Sequence, residues 1–101
     1  MKLRVGLALA SSIDDTNIIV IRAPEGDAVL TCGGAPMVEK GSSVPAATPD
    51  PNQMNGTVMG KRYVDAEATL EVLCTKAGDG SLAFGGEPLS IAAPKALPAS
   101  D

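Results

Sequence analysis

Residues 17–39 read NIIVIRAPEGDAVLTCGGAPMVE, and the fold prediction starts from this stretch. NIIVIRA at 17–23 is rich in β-branched residues and typical of a strand. PEGD at 24–27 is typical of a turn, and AVLT at 28–31 of a second strand. Two glycines and a proline follow, and glycine permits backbone angles that other residues avoid. The stretch therefore predicts a strand, a turn, a second strand and a tight corner.

The same pattern recurs at residues 69–91, which read TLEVLCTKAGDGSLAFGGEPLSI. At a constant offset of 52 residues, with no gap, seven of 23 positions are identical. The identical pairs are Val20 and Val72, Gly26 and Gly78, Asp27 and Asp79, Leu30 and Leu82, Gly33 and Gly85, Gly34 and Gly86, and Pro36 and Pro88. We interpret this as an internal duplication.

The duplication predicts one all-β domain over residues 1–101, made of two small β-hairpin repeats related by an approximate two-fold axis. Repeat one covers residues 17–39 and repeat two residues 63–91. The segment between them, 41–56, is rich in Pro, Ser, Asn and Gly and is interpreted as a linker. Residues 92–101 form an extended tail.

The repeated unit resembles desulforedoxin, the small iron-binding domain that is also the N-terminal module of desulfoferrodoxin. That family has a Tyr, then Cys-x-x-Cys-Gly, a strand and a Gly-rich turn, and it ends with Leu-x-Cys-Cys-Gly-x-x-Met. The second repeat matches it through Tyr63, Gly78, Gly80, Leu82, Gly86 and Leu89, and the first through Leu30, Cys32, Gly34 and Met37. The resemblance implies a rubredoxin/desulforedoxin-like fold.

The chain departs from that family at the metal ligands. The four thiolate positions carry Asp65, Ala68, Phe84 and Gly85 in the second repeat, and Ile13, Thr16, Cys32 and Gly33 in the first. A tetrahedral zinc or iron site needs four thiolate or imidazole ligands, but this chain has two cysteines and no histidine. We therefore expect no metal and no cofactor within one chain, with Phe84 filling the former site by packing.

Two groups of residues are candidate functional sites. Cys32 and Cys74 are candidate thiols, and a buried, unreactive Cys32 is the preferred interpretation over a reactive thiol or a disulfide with Cys74. Lys61, Arg62 and Tyr63 could contact an anion or a partner, or Tyr63 could act as an acid or base. A strand with solvated charges is the simpler alternative for this segment.

Charge and hydropathy exclude some classes of protein. The net charge is −4 and aromatic residues make up only 2%, so a basic patch with interleaved aromatics for nucleic acid is not expected. No apolar run approaches the roughly 20 residues of a membrane span. MKLRVGLALASS at the N-terminus is similar to a signal peptide, but its apolar run is too short, so we expect a first strand there and a cytoplasmic protein.

The preferred functional hypothesis is a non-catalytic accessory protein that binds another protein subunit or itself. Its core is aliphatic and small, which favours assembly. The tail offers a candidate partner contact at Pro94, Leu97, Pro98 and Asp101. The alternative is a metal or redox protein that shares cysteines between chains. An enzyme based on Lys61 and Tyr63 is disfavoured, because histidine, the commonest acid–base residue, is absent.

Overall fold

The computed structural model describes residues 2–25, 29–42 and 47–92, and within these ranges the protein is all-β. The described residues form ten short strands in two antiparallel sheets. The helical structure in the described ranges is a single 3₁₀ turn at Pro51–Gln53. The predicted all-β fold class is confirmed.

Each half of the chain contributes five strands. The first half forms β1 (Ala8–Ala10), β2 (Asn17–Arg22), β3 (Leu30–Cys32), β4 (Ala35–Pro36) and β5 (Val38–Glu39). The second half forms β6 (Arg62–Val64), β7 (Glu71–Lys76), β8 (Leu82–Phe84), β9 (Glu87–Pro88) and β10 (Ser90–Ile91). The six-stranded sheet has the order β10-β6-β7-β2-β1-β5, and the four-stranded sheet the order β4-β3-β8-β9. Both halves therefore meet at the centre of both sheets.

The strands on either side of each Gly-Asp segment do not pair with each other. β2 pairs with β1 and β7, whereas β3 pairs with β4 and β8 in the other sheet. β7 and β8 are separated in the same way. The predicted hairpins across PEGD and KAGDG are therefore wrong. Strands that face each other across a core belong to opposite layers, so these segments connect the two sheets.

The uniform offset of 52 residues is also wrong for the first strand of each unit. β2 begins at residue 17 and β7 at residue 71, a spacing of 54, whereas β3 begins at 30 and β8 at 82, a spacing of 52. The connection from β7 to β8 is two residues shorter than that from β2 to β3. Val20 and Val72 are consequently cross-strand neighbours rather than counterparts. A two-fold superposition of the two halves remains a prediction.

The inner faces of the two sheets form one core of small aliphatic side chains. The six-stranded sheet contributes Leu9, Ile18, Val20, Tyr63, Val72 and Cys74, and the four-stranded sheet Leu30, Cys32 and Leu82. Leu3, Leu7, Met37 and Leu70 complete the cluster from the connecting segments. Phe84 packs against this core but is only partly buried.

The described part of the predicted linker is attached to the domain. The amide of Asp50 donates to the carbonyl of Gly33 at 2.8 Å, and the amide of Ser81 donates to the carbonyl of Gln53 at 2.7 Å. The Asp50 side chain also caps the 3₁₀ turn by accepting from the Asn52 amide. Residues 47–56 thus pack on their own chain. The candidate tail residues Pro94, Leu97, Pro98 and Asp101 lie outside the described residues.

The Gly-Gly pairs form the predicted tight corners. Gly33 and Gly34 have φ values of 61° and 86°, and Gly85 and Gly86 have 59° and 87°. Each pair joins two strands as a two-residue hairpin loop, β3 to β4 and β8 to β9. Two consecutive positive φ angles are the requirement of the type I′ turn, and glycine adopts them at little cost.

The two corners make a matched pair for mutation. Gly34→Ala and Gly86→Ala both place a side chain at positive φ, which we expect to cost about 1 kcal/mol. A Cβ on Gly34 would also lie 2.6 Å from the Cβ of Asp50, whereas one on Gly86 would meet nothing within 4 Å. Urea unfolding should therefore show Gly34→Ala to be more destabilising, by at least about 1 kcal/mol. Equal losses of stability in the two variants would contradict the predicted clash with Asp50.

Candidate binding surface

Both candidate thiols lie inside the core. Cys32 and Cys74 are free and fully buried. Burial raises the pKa of Cys32, and the nearby Asp14 carboxylate adds to the effect. The thiol of Cys74 donates to the carbonyl of Lys76 at 3.3 Å. Low exposure and, at Cys32, a raised pKa are features of structural cysteines, so these thiols fit packing better than nucleophilic chemistry.

No local pattern in the sequence indicates the polar cluster that lies beside Cys32. One carboxylate oxygen of Asp14 accepts from the Thr16 amide at 2.9 Å, and the other from the Gly80 amide at 2.7 Å. The Cys32 sulfur lies 4.0 Å from the first of these oxygens. A Cβ on Gly78 would collide with the Thr16 hydroxyl oxygen, so that segment needs glycine. The cluster fastens the β7–β8 connection to the β1–β2 loop.

The charge on Asp14 strengthens this fastening. Burial alone would raise the pKa of Asp14, but the hydrogen bonds from the Thr16 and Gly80 amides outweigh it and hold the pKa below its ordinary value. The cluster therefore serves the fold. The offset of 54 makes Ser11 and Asp14, rather than Ile13 and Thr16, the counterparts of Asp65 and Ala68.

The structure does not bring Lys61, Arg62 and Tyr63 together in one site. Tyr63 is buried, and its hydroxyl accepts from the Val58 amide at 2.9 Å, which holds the loop before β6. Arg62 is the next residue along the same strand and so points to the opposite face. Lys61 lies before the strand and is exposed. Tyr63 is therefore structural in this arrangement, and the two cations stand apart.

An acidic pocket of about 420 Å³ lies beside the loop that joins β6 to β7. It is lined by Asp65, Ala66, Glu67, Phe84 and Glu87. The Asp65 carboxylate is already used within the chain, where it accepts from the Thr69 hydroxyl and from the Leu70 amide. Burial raises the pKa of Asp65, but its hydrogen bonds together outweigh burial and hold the pKa below its ordinary value. The pocket has an acidic lining with Phe84 as its one aromatic wall.

The side of the six-stranded sheet that points away from the core is the most distinctive surface. Its central row runs across four strands and contains Ala8, Ile19, Leu73 and Arg62. One flanking row contains Val38, Ala10, Asn17 and Lys76. The other contains Arg22, Glu71, Val64 and Ser90. We call these twelve residues the outer face.

The centre of the outer face is apolar. Six of its twelve residues are Ala, Val, Ile or Leu, and none of them belongs to the core cluster. Ile19 and Leu73 are cross-strand neighbours at its centre, and both are half-buried. Ile21, in a bulge of β2 beside this face, is 41% exposed. A solvated antiparallel face normally alternates to polar residues, so this pattern is typical of a face that is covered by a partner.

Three comparisons give no independent assignment. The chain matches no protein-family model, no curated protein and no solved structure. The desulforedoxin-like relationship therefore remains a prediction. Across the described residues, no three Cys, Asp or Glu side chains converge as a metal site, and no helix has the length and apolarity to cross a membrane.

Acidification should reveal the contribution of Asp14. Because its folded pKa is lowered, the stability it adds is complete above the unfolded value near 3.8 and is lost as the pH falls through the folded pKa. We expect Asp14→Asn to lower the free energy of unfolding by about 1.5 kcal/mol at pH 7. The difference from wild type should shrink below about pH 4.

Urea titrations from pH 7 to pH 3 measure this difference. Asp15→Asn is the matched control, since Asp15 is exposed. A loss of stability by Asp14→Asn that is independent of pH would contradict the electrostatic part of the explanation.

Proposed function

We propose that this chain is a non-catalytic binding or assembly protein that docks another protein subunit on its outer face. The observation that carries the proposal is the apolar centre formed by Ile19 and Leu73 in the middle of the six-stranded sheet. Each half contributes one of these two residues, so the surface exists only when both halves are folded together.

A face suits partner binding here better than an edge does. The four edge strands, β4, β5, β9 and β10, have two residues each. Pro36 in β4 and Pro88 in β9 lack the amide that an added strand would need. Short edges that contain proline discourage strand addition, so a partner would be recognised through side chains on the face.

Catalysis is not part of the proposal. The chain has no histidine, both thiols are buried, and Tyr63 is engaged in the fold. The alternative, a metal or redox protein with cysteines shared between chains, would require Cys32 or Cys74 to leave the core. Both have no exposed surface, which favours the binding protein over this alternative.

The proposal includes a duplicated, metal-free, desulforedoxin-like scaffold. Its support is that backbone hydrogen bonds recur in the two halves. Gly6 donates to Val20 and Gly60 to Cys74, both at 2.8 Å. Met37 donates to Leu30 at 2.9 Å and Leu89 to Leu82 at 3.0 Å. Two free cysteines also fit a reducing cytoplasm, which we retain in the proposal.

A pair of variants tests the binding surface. Leu73→Glu places a carboxylate at the centre of the outer face, whereas Met59→Glu changes an apolar residue that is 67% exposed in the turn before β6, outside that face. In affinity purification from the source cells, wild type and Met59→Glu should retain the same protein and Leu73→Glu should lose it. The protein is then identified, purified and shown to bind in solution.

Circular dichroism and thermal unfolding establish that both variants are folded under the conditions of the assay. If Leu73→Glu is folded and retains every partner of the wild type, the outer face is not the contact surface and the proposal is wrong.

A further inference from the structure

The outer face differs in charge from the rest of the molecule. It carries Arg22, Arg62 and Lys76 against one carboxylate, Glu71, and so has a net positive charge. The whole chain has a net charge of −4. Three of the eight basic residues thus border the apolar centre of a protein whose overall charge is negative.

The carboxylate on this face is held back from solvent while the cations project. Glu71 pairs with Arg62 at 3.5 Å, and its side chain is only 14% exposed, compared with 65% for Arg62. Arg22 donates to the carbonyl of Ala68 at 3.0 Å through one guanidinium nitrogen and is exposed. Lys76 is exposed at the end of β7. An approaching molecule therefore meets apolar side chains bordered by positive charge.

We infer that the partner is an acidic amphipathic segment of another protein. Its apolar side chains would cover Ile19 and Leu73, and its carboxylates would reach Arg22, Arg62 and Lys76. Arginine suits this role because its planar guanidinium binds a carboxylate through two parallel hydrogen bonds. This inference rests on the proposed function and adds the chemistry of the partner.

The charge and the composition of the outer face disfavour two other occupants. A second copy stacked through the same face would bring two positively charged borders together, which opposes isologous pairing. Single-stranded nucleic acid binds through aromatic stacking as well as cations, and the outer face contains no aromatic residue. Neither occupant matches both the apolar centre and the cationic border.

The test uses two synthetic helical peptides of the same length, each with leucines on one face. The opposite face carries glutamates in one peptide and lysines in the other. Fluorescence anisotropy at about 100 mM salt measures binding to the whole chain, and amide chemical shifts locate the contact. We expect the glutamate peptide to bind at least about tenfold more tightly, with shifts confined to β1, β2, β6 and β7 and affinity that falls as salt rises.

Lys76→Glu and Lys61→Glu are the matched variants, since they make the same change of charge at two exposed lysines. Lys76 belongs to the outer face, and Lys61 precedes β6 outside it. Lys76→Glu should lower the affinity for the glutamate peptide about three- to fivefold, and Lys61→Glu should lower it less than twofold. Equal effects, or equal binding of the two peptides, would overturn the acidic-partner inference but leave the binding surface intact.

Other occupants give different results. A concentration-dependent dimer in sedimentation equilibrium that Leu73→Glu dissociates would identify a second copy and overturn the inference. Tighter binding of a DNA oligonucleotide to the same amides would overturn it too. If the partner isolated with wild type depends on Leu73 but presents a basic contact surface, the proposed function stands and this inference fails.

Discussion

The pairing of β2 with β7 is the contact on which the rest of the structure depends. It aligns Ile18 with Cys74, Ile19 with Leu73, and Val20 with Val72. Without it, each half would have three short strands of this sheet and only part of the core, which is marginal for a chain of that size. The two halves therefore share one core, and the outer face is a product of the same contact that completes this core.

Within β2, this pairing directs neighbouring side chains to opposite faces of the sheet. Ile18 and Val20 enter the core, while Ile19, between them, points to the outer face. A strand that is apolar at successive positions is typical of a sheet covered on both sides. Among the described residues, the second layer covers only the inner side of β2 and β7. The excess apolar surface is the area that the proposed partner would cover.

Local signals in the sequence were sufficient for the strands at 17–22 and 71–76 and for the Gly-Gly corners, because β-branched residues and paired glycines act over a few residues. They did not reveal which strands pair, since a turn signature is equally compatible with a hairpin and with a connection between sheets. The uniform offset failed because one connection is two residues shorter.

The surface and the polar cluster needed tertiary information. Asp14 and Gly80 are hydrogen-bonded although they are 66 residues apart, and nothing in either local sequence predicts the contact. The outer face requires the strand register, because a shift of one residue would exchange its side chains with those of the core. Its partial signal was the run NIIVI, which has too many apolar residues for a strand with one solvated side.

The outer face is positive because it carries three basic side chains and one carboxylate. Glu71 is paired with Arg62, and Asp65 accepts hydrogen bonds from its own loop, so these acids near the sheet stabilise the fold. Arg22 and Lys76 are exposed and project beside the apolar centre. A rigid sheet bordered in this way presents both apolar area and charge without rearrangement, which reduces the entropic cost of binding. Affinity would then come from the apolar centre, while the cations would set the orientation of the partner and the rate of association.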